Sequence, residues 1–105
     1  MINNISYDIS GVNMKDRSHS ALTSAQIRAA RALLRWRAED LAANSAVGVA
    51  TVRRAELAES ATSMTAANDA AVRRALEAAG VEFIDQNGGG AGVRLRKAAP
   101  AKKAK

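Results

Sequence analysis

The chain has 105 residues and a net charge of +6, with no cysteine and one histidine. That length holds one small domain near the lower limit of independent stability, the lack of cysteine excludes a disulfide framework or a thiolate metal site, and His19 alone builds no metal site. No apolar run approaches a membrane span, and residues 1–14 lack the basic start and apolar stretch of a secretion signal, so a cytoplasmic protein without a membrane partner is expected.

The placement of the charge says more than its sum. Residues 1–20 carry Lys15 and Arg17 against Asp8 and Asp16, and residues 21–90 carry eight arginines against eight acids, so both stretches are neutral. The whole excess falls in residues 91–105, at Arg94, Arg96, Lys97, Lys102, Lys103 and Lys105. An Ala-rich basic tail over residues 98–105, containing Pro100, buries too little apolar surface to order itself. It adds affinity for a polyanion without reading sequence.

Residues 1–20 have no sustained period and are dense in Asn, Ser, Asp and Gly, which predicts a flexible extension with His19 as a solvated residue. Thr23 or Ser24 suits the cap of a first helix running to about Trp36, with Gln26 placed for a capping box and Ile27, Ala30 and Leu34 on its inner side. Arg28 on its flank reads as a solvated charge.

Residues 38–56 read as two short helices about a tight turn, at about 38–44 and 48–56. Glu39 and Asp40 suit the first N-terminus, and Leu41 and Ala42 form its apolar stripe. In the second, Val47, Val52 and Ala55 are inward candidates and Val49, Ala50, Arg53 and Arg54 point outward. An outward face with two arginines on a second short helix is the layout of a helix-turn-helix, whose second helix offers base-reading side chains to the major groove.

Residues 57–65 are expected as a loop or a frayed extension of that helix, with Met64 filling a gap in the core. A further helix starts at Thr65 or Asn68 and stops at Gly80, with Val72, Leu76 and Ala79 inward and Arg73 and Arg74 on the other side, facing solvent or phosphate. Strand character follows at residues 81–86 and 93–96, joined by the Gly-rich residues 87–92 as a hairpin loop. That cluster leads into a strand rather than a helix and has no Lys-Ser/Thr end, so it does not read as a phosphate-binding loop.

At residues 22–97 the sequence resembles the Xre/Cro class of small bacterial, phage-repressor-like helix-turn-helix regulators. The resemblance rests on Ala30 to Leu34 with Trp36, Glu39 to Ala42, Thr51 with Val52 and Glu56, and Ala75 to Ile84 followed by Val93 to Arg96. Met14 lies near its beginning, and a start at Met14 in place of Met1 would give a more typical small regulator. The resemblance implies a mainly α fold, a four-helix domain at residues 21–97 with a C-terminal β-hairpin. It also implies a structural pair between Arg31 of the first helix and Glu56, base contacts from Val49, Ala50, Thr51 and Arg53, and phosphate contacts from Arg37, Arg54 and the tail lysines Lys97, Lys102, Lys103 and Lys105.

The departures from the family pattern are specific. Arg35 stands where the family has Gly, Arg37 where it has a capping Ser or Thr, and Ala38 where it has a DNA-contacting Gln. Ala46 replaces the turn Gly, Gly48 a helix-capping Ser, and Ala55 a core Leu. A left-handed Ala46 costs roughly 1 kcal/mol, so the motif is expected to be weaker than the family norm.

The expected function is that of a nucleoid-associated, DNA-binding transcriptional regulator, with double-stranded DNA as partner and Arg53 as the best candidate for guanine readout. A homodimer is expected if hairpin edges pair between chains, since a two-stranded hairpin is marginal alone. The alternative is an antitoxin-like or anti-repressor-like module that contacts a protein partner, with weak, tail-driven DNA binding. No cofactor and no enzymatic activity are expected, for lack of cysteine, of a second histidine and of paired acids in a cleft pattern.

Overall fold

A computed structural model describes residues 21–97. Residues 1–20 and 98–105, read above as an extension and a basic tail, lie outside the described residues, and so do His19, Lys102, Lys103 and Lys105. The described chain forms four helices and a hairpin: α1 (Ser24–Leu34), α2 (Ala38–Ser45), α3 (Val49–Leu57), α4 (Ala66–Ala78), β1 (Val81–Ile84) and β2 (Gly92–Leu95).

Helix α1 begins at a full capping box. The Thr23 hydroxyl accepts from the Gln26 N–H at 3.1 Å, and the Thr23 N–H donates to the Gln26 side-chain carbonyl at 3.0 Å. The helix ends at Leu34, short of the expected Trp36, because Arg35 turns left-handed (φ 59°). The N–H groups of Arg35 and Trp36 then fold back onto the carbonyls of Ala32 and Arg31, satisfying two orphan acceptors of the last turn.

The core lies where the inner faces of the helices meet. Leu22 and Ile27 come from the α1 side, Leu41 from α2, Val52 from α3, and Val72 and Leu76 from α4; all are essentially inaccessible to water. Each such side chain contributes about 1.5–3 kcal/mol relative to an exposed one, so these few residues supply most of the drive to fold. Met64 packs at the edge of this cluster.

Helix α4 starts where Thr65 accepts from the Asn68 N–H at 3.0 Å, and stops at Gly80, whose φ of 115° suits only glycine. Two expectations for α4 need correction. Ala79 is exposed at the helix end, and Ala75 packs against the core instead. Arg73, expected toward solvent or phosphate, is only 7% exposed: its guanidinium lies 5.0 Å from the Phe83 ring centroid and 3.7 Å from Glu77. The hairpin causes this by folding over the flank of α4 that carries Arg73.

The strands pair antiparallel, with Val81 opposite Leu95 and Ile84 opposite Gly92. The second strand therefore starts one residue earlier than expected and ends at Leu95. Arg96 is drawn out of the ladder because its N–H donates to the Gly80 carbonyl at 2.7 Å and its guanidinium to the Glu77 carbonyl at the end of α4. The first strand stops two residues early, since Ile84 is the last residue with a partner. Gln26, 4% exposed, donates from its side-chain amide to the Gly92 carbonyl at 3.0 Å and ties α1 to the hairpin.

Two non-glycine residues, Arg35 and Ala46, hold left-handed conformations at helix ends (φ 59° and 62°). Each is exposed, so glycine removes the conformational cost without opening a cavity. Arg35→Gly and Ala46→Gly are each expected to raise unfolding free energy in urea by about 1 kcal/mol, a gain of roughly 4–8 °C in melting temperature for a domain of this size.

Candidate nucleic-acid interface

Helix α2 opens without a side-chain acceptor at Arg37, as that residue type dictates. Its first turn is satisfied from within instead: the Arg37 N–H donates to the Asp40 carboxylate at 2.8 Å. At the far end the Ser45 hydroxyl donates to the Leu41 carbonyl at 2.7 Å and accepts from the Val47 N–H at 3.2 Å. With Ala46 left-handed, this sets a tight turn, and α3 begins at Val49, after an N-cap Gly48 that has no side chain to cap it.

Helix α3 is held from behind by α1. The Arg31 guanidinium meets both Glu56 oxygens, at 2.6 and 2.7 Å, and its third nitrogen donates to the Trp36 carbonyl at 2.8 Å. Glu56 is 8% exposed, and its hydrogen bond raises the Arg31 pKa above its ordinary value against the lowering effect of burial. Two contacts extend the bracket along the end of α3. Arg28, read as a solvated charge, donates to the Glu56 carbonyl at 2.6 Å, and the buried Ser24 hydroxyl donates to the Ala58 carbonyl at 2.6 Å. The Ser24 N–H also bonds the Ser60 carbonyl at 2.8 Å, and α3 ends at Leu57 rather than running through Ala58.

With Val52, Ala55 and Glu56 buried, the outward stripe of α3 is Ala50, Arg53, Arg54 and Leu57, at the spacing of one helical face. Thr51 is half-buried, its hydroxyl 3.4 Å from the Arg54 guanidinium. Val49 departs from its expected outward place: it is half-buried and packs against the core, because the tight turn brings the first turn of α3 down onto the cluster. Leu57, read on sequence as part of a loop or of a frayed extension of the helix, is the last residue of α3 and 83% exposed at the end of the stripe. Its seven-residue spacing from Ala50 was the signal that could have placed it there.

Charge on this face is organised around Glu39. Its carboxylate pairs with the Arg53 guanidinium, and Arg37 also lies close enough to favour its ionised form. The Glu39 pKa is accordingly lowered, first by its backbone hydrogen bond and then by Arg53. Arg37 is exposed, with Asp40 3.7 Å away. Lys97 is exposed beyond the end of the hairpin, which packs on α1 and α4.

A cleft of about 490 Å³ opens beside the stripe, between the end of α3 and the start of α4, lined by Arg54, Leu57, Met64 and Asn68 among others. Among the described residues no three His, Cys, Asp or Glu side chains gather as a metal ion requires. No helix among them is long and apolar enough to cross a membrane. No protein-family model, curated protein or solved structure matches the chain.

Two outcomes follow from this geometry. Glu56→Ala leaves the half-buried Arg31 without its carboxylate and is expected to cost about 1–3 kcal/mol in urea unfolding, whereas Arg31→Met combined with Glu56→Leu should cost less than that single change. In an NMR titration the Glu39 carboxylate should titrate below an ordinary glutamate. Arg53→Ala should raise that value only partway, since the backbone hydrogen bond remains. Glu39 therefore stabilises the fold at neutral pH, and its contribution is lost as pH falls through its lowered folded-state pKa.

Proposed function

We propose that this protein binds double-stranded DNA as a transcriptional regulator of the phage-repressor-like helix-turn-helix type, laying α3 in the major groove. The observation that carries the reading is the two-sided character of α3. Its inner face is buried and locked to α1 by the Arg31–Glu56 pair, while its outer face presents Ala50, Arg53 and Arg54 to solvent. A helix with its side chains is about 10–12 Å across and fits a groove about 12 Å wide.

The side chains then divide by chemistry. Arg53 suits a bidentate contact to guanine, Ala50 an apolar contact to a thymine methyl, and Thr51 a single hydrogen bond from its half-buried position. Val49, turned partly into the core, contributes to the floor of the interface more than to readout. Arg37 and Arg54 suit phosphates on either flank, which fix register without reading sequence. Lys97, Lys102, Lys103 and Lys105 add the salt-dependent, sequence-independent share of affinity. Because Ala38 stands where the family it resembles carries Gln, more of the specificity rests on Arg53. A dimer of such domains would read half-sites about one helical turn of DNA apart.

A second reading, a module for protein contact, is favoured by Leu57. An 83% exposed leucine beside a cleft is a more natural anchor for a protein than for phosphate.

Selection of binding sites from a random duplex library at physiological salt, for the intact chain and for one ending at Lys97, separates the readings. The DNA-reading account expects both forms to enrich the same two-fold motif, the shorter one with a salt slope lower by roughly 0.9 for each lysine–phosphate contact removed. It also expects Arg53→Ala to lose about 1–3 kcal/mol at the preferred site and little elsewhere. Binding that enriches nothing and vanishes with the tail would leave the protein-contact reading in its place.

A further inference from the structure

The guanidinium of Arg53 is not loose on the surface of α3. One of its terminal nitrogens donates to a carboxylate oxygen of Glu39, fourteen positions earlier, on the first turn of α2. Glu39 sits on a regular helical turn, and α2 packs directly on α3, so the backbone that carries the carboxylate is fixed relative to Arg53. Both side chains are about half exposed, at 55% for Arg53 and 51% for Glu39. An ion pair so exposed contributes little to folding, so its consequence lies in where it leaves Arg53.

A guanidinium is a planar fork of five N–H donors, and one nitrogen engaged by a carboxylate leaves donors elsewhere on the fork for the O6 and N7 acceptors of guanine. Holding the fork in one orientation before binding removes part of the ordering cost that a long, flexible side chain otherwise meets at the interface. An acid on a DNA-facing surface also repels phosphate, so it lowers affinity for every duplex alike. Those two effects predict opposite results when Glu39 is changed.

We propose that Glu39 is a positioning residue for base readout: anchored on the first turn of α2, it orients the Arg53 guanidinium, so that preference at the base pair read by Arg53 depends on a residue that touches no DNA. The inference rests on the reading that α3 lies in the major groove.

The test uses the full chain and duplexes selected by the wild type, with the base pair read by Arg53 identified as the one whose preference Arg53→Ala abolishes. Glu39→Gln should reduce the preference at that pair about tenfold, toward the level of Arg53→Ala, while binding to an unselected duplex holds or strengthens. The double substitution should discriminate no worse than Arg53→Ala alone. Glu39→Asp keeps the charge but withdraws the carboxylate by one methylene, and should lose preference as well. If Glu39→Gln keeps the preference intact and binds every duplex more tightly, Glu39 only repels phosphate and the proposal is overturned. A wild type that selects no site overturns the DNA-reading account and this proposal together, whereas wild-type selection with unchanged preference in both Glu39 variants removes this proposal alone.

Discussion

The bracket from α1 to α3 is the interaction on which the rest of this small domain depends. Helix α3 is only nine residues long and has no side-chain cap at its start, so its own hydrogen bonds would not keep it formed in water. Arg31 grips Glu56 with both prongs of its guanidinium, Arg28 takes the Glu56 carbonyl, and Ser24 takes that of Ala58. These contacts satisfy acceptors at the end of α3 and fix its rotation about its own axis. That rotation decides which side chains face the core and which face solvent. Arg31 also holds the Trp36 carbonyl, so the same residue sets the path of the chain into α2.

Around that bracket the domain uses small residues where larger ones would add stability. Ala55 fills a buried position on α3 with little apolar area, and Arg35 and Ala46 occupy left-handed positions that glycine holds more cheaply. The polar ties offset part of this. Gln26 joins α1 to the hairpin, Asp69 accepts from the Leu22 N–H at 3.1 Å, and Arg96 closes the end of α4. The scaffold is thus assembled as much by directed hydrogen bonds as by core volume, and the α2–α3 unit sits on it with its charged face outward.

Much of this architecture was legible in the sequence, for physical reasons that can be named. The capping box at Thr23 and Gln26, the periodic Val72 and Leu76, and the glycine at position 80 are local signals, and local signals set helix starts, faces and stops. What escaped was set by distant partners. Arg73 has the composition of a surface residue, and only the fold of the hairpin over α4 puts Phe83 against it. Arg28 looks like any solvated arginine until the end of α3 arrives beside it. Val49 follows the outward pattern on paper, yet the turn at Ala46 tips the first residues of α3 toward the core. The candidate interface was legible in the same uneven way: Arg53 and Arg54 stand out by charge and spacing, whereas the link from Arg53 back to Glu39 depends on how α2 and α3 cross.

We propose that the outward stripe of α3 makes the base contacts, while Arg37 and the lysines from Lys97 onward meet phosphates alone. Amide and arginine side-chain NMR shifts of the full chain, followed while a mixed-sequence duplex is added, test it most directly. The account predicts that the largest changes fall on Ala50, Arg53, Arg54 and Glu39, with the hairpin unaffected. Changes confined to the lysines from Lys97 onward, with α3 silent, would contradict it.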